Sequence, residues 1–167
     1  MMAEMLLVGL GANLPDRYGH EPVTTCAWAV DKIGNIPGLR LEGVSRWYRT
    51  RPVPASDQPD YVNGVARLSG AIAPEALLER LHAIEAQAGR VRSVRNAARV
   101  LDLDLLAVDG LVRDGPGLIL PHPRLAERAF VLYPLCDVAP EWRHPVLGRT
   151  ARALRDAAGP QGIAVLE

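Results

Sequence analysis

Lysine is almost absent from this chain: of its 19 basic residues only Lys32 is one, and the rest are arginine. That bias fits genomic composition and phosphate recognition equally, and composition alone does not separate them. Cysteine is scarce as well. Cys26 and Cys136 lie far apart in apolar surroundings, which fits a cytosolic protein with two buried structural thiols. His20, His82, His122 and His144 are dispersed and show no zinc spacing with the cysteines. No apolar run approaches the length of a membrane span. The first residues lack the basic segment and long apolar core of a signal peptide. A cytoplasmic protein without membrane contact is therefore expected. Nineteen basic against 19 acidic residues leave no net charge, so overall charge gives no reason to expect a polyanionic partner.

What is present is an ordinary globular composition, 49% apolar and 23% charged, in 167 residues. That length suits one domain spanning 1–167 with a sizeable core. The apolar run at 5–14, "MLLVGLGANL", reads as a buried strand that passes into a loop at its glycines. Gly9, Gly11 and Asn13 invite a nucleotide-binding reading, but the third glycine of that fingerprint is replaced by Leu14, and a tight turn explains them better. Residues 22–34 fit a helix with Pro22 in its first turn and Gly34 at its end. Residues 39–50 and 60–70 alternate as strands, with a proline-rich loop at 51–59 between them. The clearest helix covers 73–89, with Leu77, Leu78, Leu81, Ile84 and Ala88 in one stripe and Gly89 at its end. An arginine-rich loop (90–99), a strand (100–108), a small hairpin (109–117), a mixed segment (121–142) and a last helix (about 150–158) follow. The order strand, helix, strand, strand, helix, strand is the split βαβ, ferredoxin-like pattern. It predicts an α/β fold with a mainly antiparallel sheet flanked by helices and extra C-terminal elements.

Chemistry gathers around "RVLDLDLLAVDG" (99–110). On a strand, Asp102 and Asp104 share one face, roughly 7 Å apart along it, while Leu101, Leu103 and Leu105 face the core. Two like charges repel there. A divalent cation removes the repulsion, and Mg²⁺ typically takes one or two carboxylates together with water and phosphate oxygens. An edge strand with a solvated face accounts for the same pair. The preceding loop carries Arg90, Arg92, Arg95 and Arg99 and no acid. Arginine forks match phosphate oxygens, so cations beside paired carboxylates describe a phosphoryl-transfer centre. A solvated basic loop pairing with the aspartates is the plainer account. Simple strand parity places Arg99 opposite the aspartates, and Arg99 joins them only if the loop twists at its end. Glu85 flanks the apolar stripe of its helix, where an acid snorkels outward as structure or accepts hydrogen bonds from a ligand. His122 is held between two prolines. Tyr61 and Asn63 share a strand face suited to a flat heterocycle, with Phe130, the only phenylalanine, as a candidate opposite wall. Tyr61 and Phe130 also read as ordinary core residues.

Taken together, "GLGANLPDR", "YRTRPV", "DQPDYVN", "IEAQAGRVR", "RVLDLDLL" and "LPHPRLAERAFVLYPL" resemble, in order, the motifs of the 6-hydroxymethyl-7,8-dihydropterin pyrophosphokinase family, over about residues 6–145. The resemblance implies transfer of the terminal pyrophosphoryl group of ATP to the pterin's hydroxymethyl oxygen in folate biosynthesis, with release of AMP. It implies two Mg²⁺ ions at Asp102 and Asp104, and assistance to the transfer from Arg90 and Arg99. It places Glu85, Arg92, Arg99, His122 and Arg128 where the family binds ATP. It places Thr50, Val53, Tyr61, Asn63 and Phe130 where the family binds pterin, with Asn96 near the place of a covering tryptophan. Small-molecule substrates and a monomer are expected. The chain departs from the family pattern at Ala12 for a serine, at Ala98-Arg99-Val100 for Pro-Arg-Thr, and in "YGHEPV" (18–23), which breaks the usual first helix. The rival reading is a ferredoxin-like nucleic-acid-binding module using the Arg90–Arg99 loop. Zero net charge, 5% aromatics and the two aspartates argue against it.

Overall fold

The computed structural model describes residues 4–51, 57–89 and 99–166. β1 (Glu4–Ala12) is followed by α1 (Pro22–Gly34), β2 (Leu39–Val44), β3 (Tyr48–Thr50), β4 (Tyr61–Gly70), α2 (Pro74–Gln87) and β5 (Asp102–Val108). A small hairpin of β6 (Arg113–Gly115) and β7 (Leu118–Leu120), then α3 (Ala129–Val138), α4 (Ala151–Ala158) and β8 (Ala164–Val165) complete the chain. The main sheet runs β5-β1-β4-β3-β8, with β2 also pairing β4, and every pairing is antiparallel. With β2 and β3 counted as one interrupted strand, this is the ferredoxin-like order expected from the sequence.

Strand alternation sends each face of the sheet to a different core. Leu6, Val8, Leu10, Leu103 and Leu105 pack with Cys26, Ala29 and Ile33 of α1 and Leu77, Leu81 and Ile84 of α2. Leu7, Val65 and Leu106 pack on the other side with Leu132 and Leu135 of α3 and Leu154 of α4. Both cysteines are free and buried, as their apolar surroundings indicated.

Three local expectations need correction. The glycines of "GLGAN" do not end the first strand: β1 runs through both to Ala12, paired on each side. The strand expected over 39–50 is broken at 45–47. There Ser45 Oγ accepts the Val65 N–H at 2.9 Å in place of a ladder carbonyl, and the Trp47 ring lies across Gly64, where a Cβ would fall 2.5 Å from it. The hairpin lies further along than 109–117, its second strand reaching Leu120. In the unusual 18–23 segment, Asp16 Oδ1 accepts the Tyr18 and His20 N–H groups at 2.9 and 2.8 Å. That local turn occupies residues ahead of α1, which begins only at Pro22. Nothing in the sequence pattern marked β8, a two-residue strand that pairs the edge of β3.

Candidate active site

The two aspartates lie where register and glycine make room. β5 pairs β1 with Asp102 opposite Gly11 and Asp104 opposite Gly9. β1 in turn pairs β4 with Gly11 opposite Asn63 and Gly9 opposite Val65. Directly paired residues point to the same face, so the row Asp102–Gly11–Asn63 crosses three strands on the α3 side of the sheet. Carboxylate and amide stand on opposite banks of a strand that has no side chain between them. The Asp102 side chain is 27% exposed, so its charge keeps part of its hydration and the burial cost that makes a core aspartate unlikely is reduced.

Arg99 joins this row. β5 begins only at Asp102, so residues 99–101 are not bound by strand alternation. Asn13 sets the turn: its N–H and that of Leu14 donate to Arg99 O at 2.9 and 3.1 Å, and its side-chain Oδ1 accepts the Arg99 N–H at 2.8 Å. The guanidinium Nη1 then donates to Asp102 Oδ1 at 3.0 Å. Of the two positions the sequence left open, Arg99 takes the one that joins the aspartates, because the strand starts two residues later than expected and simple parity does not reach residue 99. Asn13 also donates through Nδ2 to Gln58 Oε1 at 3.2 Å and Pro59 O at 3.0 Å. One buried amide thus ties the segment entering β4 to the segment entering β5. Sequence reading named Asn13 only with Gly9 and Gly11, in a nucleotide-binding reading it set aside for a tight turn, and did not foresee this tie between two segments.

Glu85 does not snorkel outward. It is 1% exposed, and its Oε2 accepts the Leu103 N–H at 2.7 Å. β5 is the end strand of the sheet, so a carboxylate from α2 satisfies the edge N–H that lies between the two aspartates.

Beyond β5, a cis peptide joins Leu120 to Pro121. The next residue, His122, donates its N–H to Leu106 O at 2.8 Å, and its Nδ1 accepts the Arg124 N–H at 3.3 Å. Burial, then the Arg128 charge, pushes the His122 ring below its usual range, with Asp102 opposing. Arg128 precedes α3 and places its guanidinium 5.2 Å from the Phe130 ring centroid. Burial and the neighbouring Arg124 lower it, with Asp104 first among the opposing charges. His122, Arg128, Asp102 and Asp104 therefore share one electrostatic field.

On the other bank, Asn63 Nδ2 donates to Thr50 Oγ1 at 2.7 Å, which turns Oδ1 toward Gly11. Thr50 pairs with Tyr61 across β3 and β4. Tyr61 and Phe130 are half-buried, not fully enclosed core residues. Next to them Tyr48, opposite Asn63 in the ladder, donates to Asp137 Oδ2 at 2.7 Å and anchors β3 to α3. Burial, with the Asp137 bond second, pushes its hydroxyl up to about 12. Val53, Arg90, Arg92 and Asn96 lie outside the described residues.

No group of three or more histidine, cysteine, aspartate or glutamate side chains among the described residues is arranged to hold a metal ion. A pair of half-exposed carboxylates is an all-oxygen partial shell. It suits a hard cation that completes its coordination with water and phosphate. Cavities of about 520 Å³, beside Arg67 and Asp137, and about 320 Å³, beside Tyr18 and Trp28, contain none of these residues.

Known proteins resemble this chain over most of its length. A family model described as 7,8-dihydro-6-hydroxymethylpterin-pyrophosphokinase (HPPK) matches residues 7–140. A 2-amino-4-hydroxy-6-hydroxymethyldihydropteridine pyrophosphokinase of Pseudomonas aeruginosa is 44% identical over 144 residues, covering 86% of each chain. A protein of the same name from Methylorubrum extorquens is 37% identical over 160 residues, 96% of this chain and 97% of the relative. A crystal structure of wild-type Plasmodium falciparum HPPK-DHPS superposes with a TM-score of 0.68 at 13% identity, over 93% of this chain. This chain spans 44% of that one, and the likeness concerns the fold.

Proposed function

The chain belongs to the 7,8-dihydro-6-hydroxymethylpterin-pyrophosphokinase family, and from that membership we propose how its own residues carry the reaction. The reaction itself is pyrophosphoryl transfer onto hydroxymethyldihydropterin in folate biosynthesis, with ATP as the co-substrate the family implies. The nucleic-acid-binding alternative is not favoured by any relative reported above.

The observation that carries the mechanism is the three-strand row. Asp102 with Arg99 stands on one bank and Asn63 with Thr50 on the other, one strand apart. Phosphate chemistry belongs on the first bank and a flat heterocycle on the second. Asp102 and Asp104 are the residues that would hold Mg²⁺, two ions in our reading, which would supply charge neutralisation for the phosphates. Arg99, with Arg90 at the other end of the same loop in sequence, stabilises charge developing on the transferred group. Glu85, Arg92, His122 and Arg128 form the ATP side. Asn63 presents its carbonyl oxygen to ring N–H donors, and Thr50 keeps the amide in that orientation. Tyr61 and Phe130 supply stacking faces, with Val53 and Asn96 completing the pterin side. The pterin hydroxyl oxygen attacks the β-phosphorus in line, the bond to the α-phosphate oxygen breaks, AMP departs and the hydroxyl proton passes to water. Positioning and electrostatic stabilisation together supply nearly all of the acceleration in such a transfer. We read the chain as one cytoplasmic, monomeric catalytic unit. Incubation with ATP, Mg²⁺ and the pterin alcohol tests this: AMP and the pterin diphosphate should form together, and their absence would refute it.

A further inference from the structure

Two glycines alternate on β1, and the structure gives them different reasons to be there. Neither has a positive φ, so backbone geometry does not require glycine at either position. Glycine weakens a strand interior relative to alanine, and it often marks a close approach by a ligand or another backbone. At Gly9 the missing side chain is replaced by core: a Cβ would meet the methyls of Leu106 at 3.4 Å. At Gly11 no core side chain among the described residues fills the place. A Cβ there would fall 3.0 Å from Asn63 Oδ1, with Val62 O at 3.8 Å and Asn63 Cγ at 4.0 Å the next nearest among the described residues.

That position lies in register between Asp102 and Asn63. Neighbouring strands are about 4.8 Å apart, so the two outer backbones stand roughly 10 Å from each other with Gly11 midway. A methyl group at residue 11 would stand in the middle of this gap. It would also press on the Asn63 carbonyl oxygen, which must give by a few tenths of an ångström while its amide is held by a 2.7 Å bond to Thr50.

We propose that Gly11 is a specificity-determining residue for the acceptor: its empty side-chain position is the passage in which the pterin lies against Asn63 while its hydroxymethyl arm reaches toward Asp102 and Asp104. This rests on the pyrophosphokinase reading above. The phosphate side does not share the passage, so blocking it separates the two substrates.

The test is Gly11→Ala in the full chain. Equilibrium binding of ATP and of the pterin alcohol would be measured separately, with KM and kcat for both and a thermal melt. The expected result is a tenfold or greater loss of pterin affinity, carried in the pterin KM, with ATP affinity within twofold of the parent. Only the end of one side chain must give way at residue 11, so the variant should fold. Unchanged pterin affinity overturns the proposal. So does an equal loss for ATP, which would make residue 11 a general strand position, and so does a variant that fails to fold, because the clash would then reach beyond Asn63. If the parent chain itself makes no pterin diphosphate, it is the reaction assignment that fails. A parent that turns over beside an unaffected variant removes the role of Gly11 alone.

Discussion

Arg99 and Asp102 form a 3.0 Å ion pair across the start of a strand whose alternation, extended backward, would hold them on opposite faces. The pair exists because the strand begins at Asp102 and because Asn13 captures both the N–H and the carbonyl of Arg99. A cation is thereby placed on the same bank as the two carboxylates.

Replacing Asp102 by alanine should abolish turnover, at least a hundredfold in kcat, while leaving the fold intact. A partly exposed ion pair contributes only about 0–1 kcal/mol to stability, so the melting temperature should barely move. AMP release and a thermal melt on the same sample check both halves. Full activity in the variant would sink the assignment.

For Arg99, lysine should rescue little. A point charge replaces a planar fork that is matched to phosphate oxygens. Both Arg99→Ala and Arg99→Lys should lower kcat by about 10²–10³, with a smaller change in ATP affinity. Single-turnover measurements separate chemistry from binding, and a lysine variant near parental kcat would contradict the expectation.

Asn13→Ala removes one acceptor and two donor contacts from a buried position. Leaving the Arg99 N–H without its side-chain partner should cost about 1–3 kcal/mol of stability. Because the same amide ties the entry to β4 and the entry to β5, KM for both substrates should rise together. A rise confined to one substrate would show that Asn13 serves only one segment.

Glu85→Ala leaves the Leu103 N–H without this acceptor between the two aspartates. A loss of about 1–3 kcal/mol is expected, with Glu85→Gln partly restoring it, because an amide oxygen still accepts. Chemical denaturation of the three proteins gives the ranking.

His122 gives a pH signature. Burial and Arg128 hold its ring below 6.5, the ordinary value. Below pH 6.5 the unfolded chain therefore takes up the proton before the folded one does. Stability associated with this residue is full above pH 6.5 and falls on acidification. The parent should lose more melting temperature between pH 7.5 and 5.5 than His122→Gln does, and equal losses would refute the shift.

The element order and the apolar face of each element were legible in local pattern. Leu77, Leu81 and Ile84 recur at helical spacing, and Leu101, Leu103 and Leu105 alternate, so the helix and the strand had to turn those residues inward. The shared face of Asp102 and Asp104 followed from the same period of two. The outward course open to Glu85 was wrong because its helix shows only that it flanks the stripe; the edge N–H it accepts belongs to a strand 18 residues away in sequence. Gly9 and Gly11 look alike in sequence. Only the neighbouring strands reveal that Leu106 fills the space of one and that the other opens between a carboxylate and an amide.

The sequence alone determined which residues could enter a strand or a helix and which side of each would be apolar, because those follow from periods of 2 and 3.6 residues and from the cost of wetting leucine and valine. Tertiary structure decided which polar groups meet. Asp102 meets Arg99 and, across Gly11, faces Asn63 through strand register and a turn held by Asn13. Register is a relation between segments distant in the chain, and no local period encodes it.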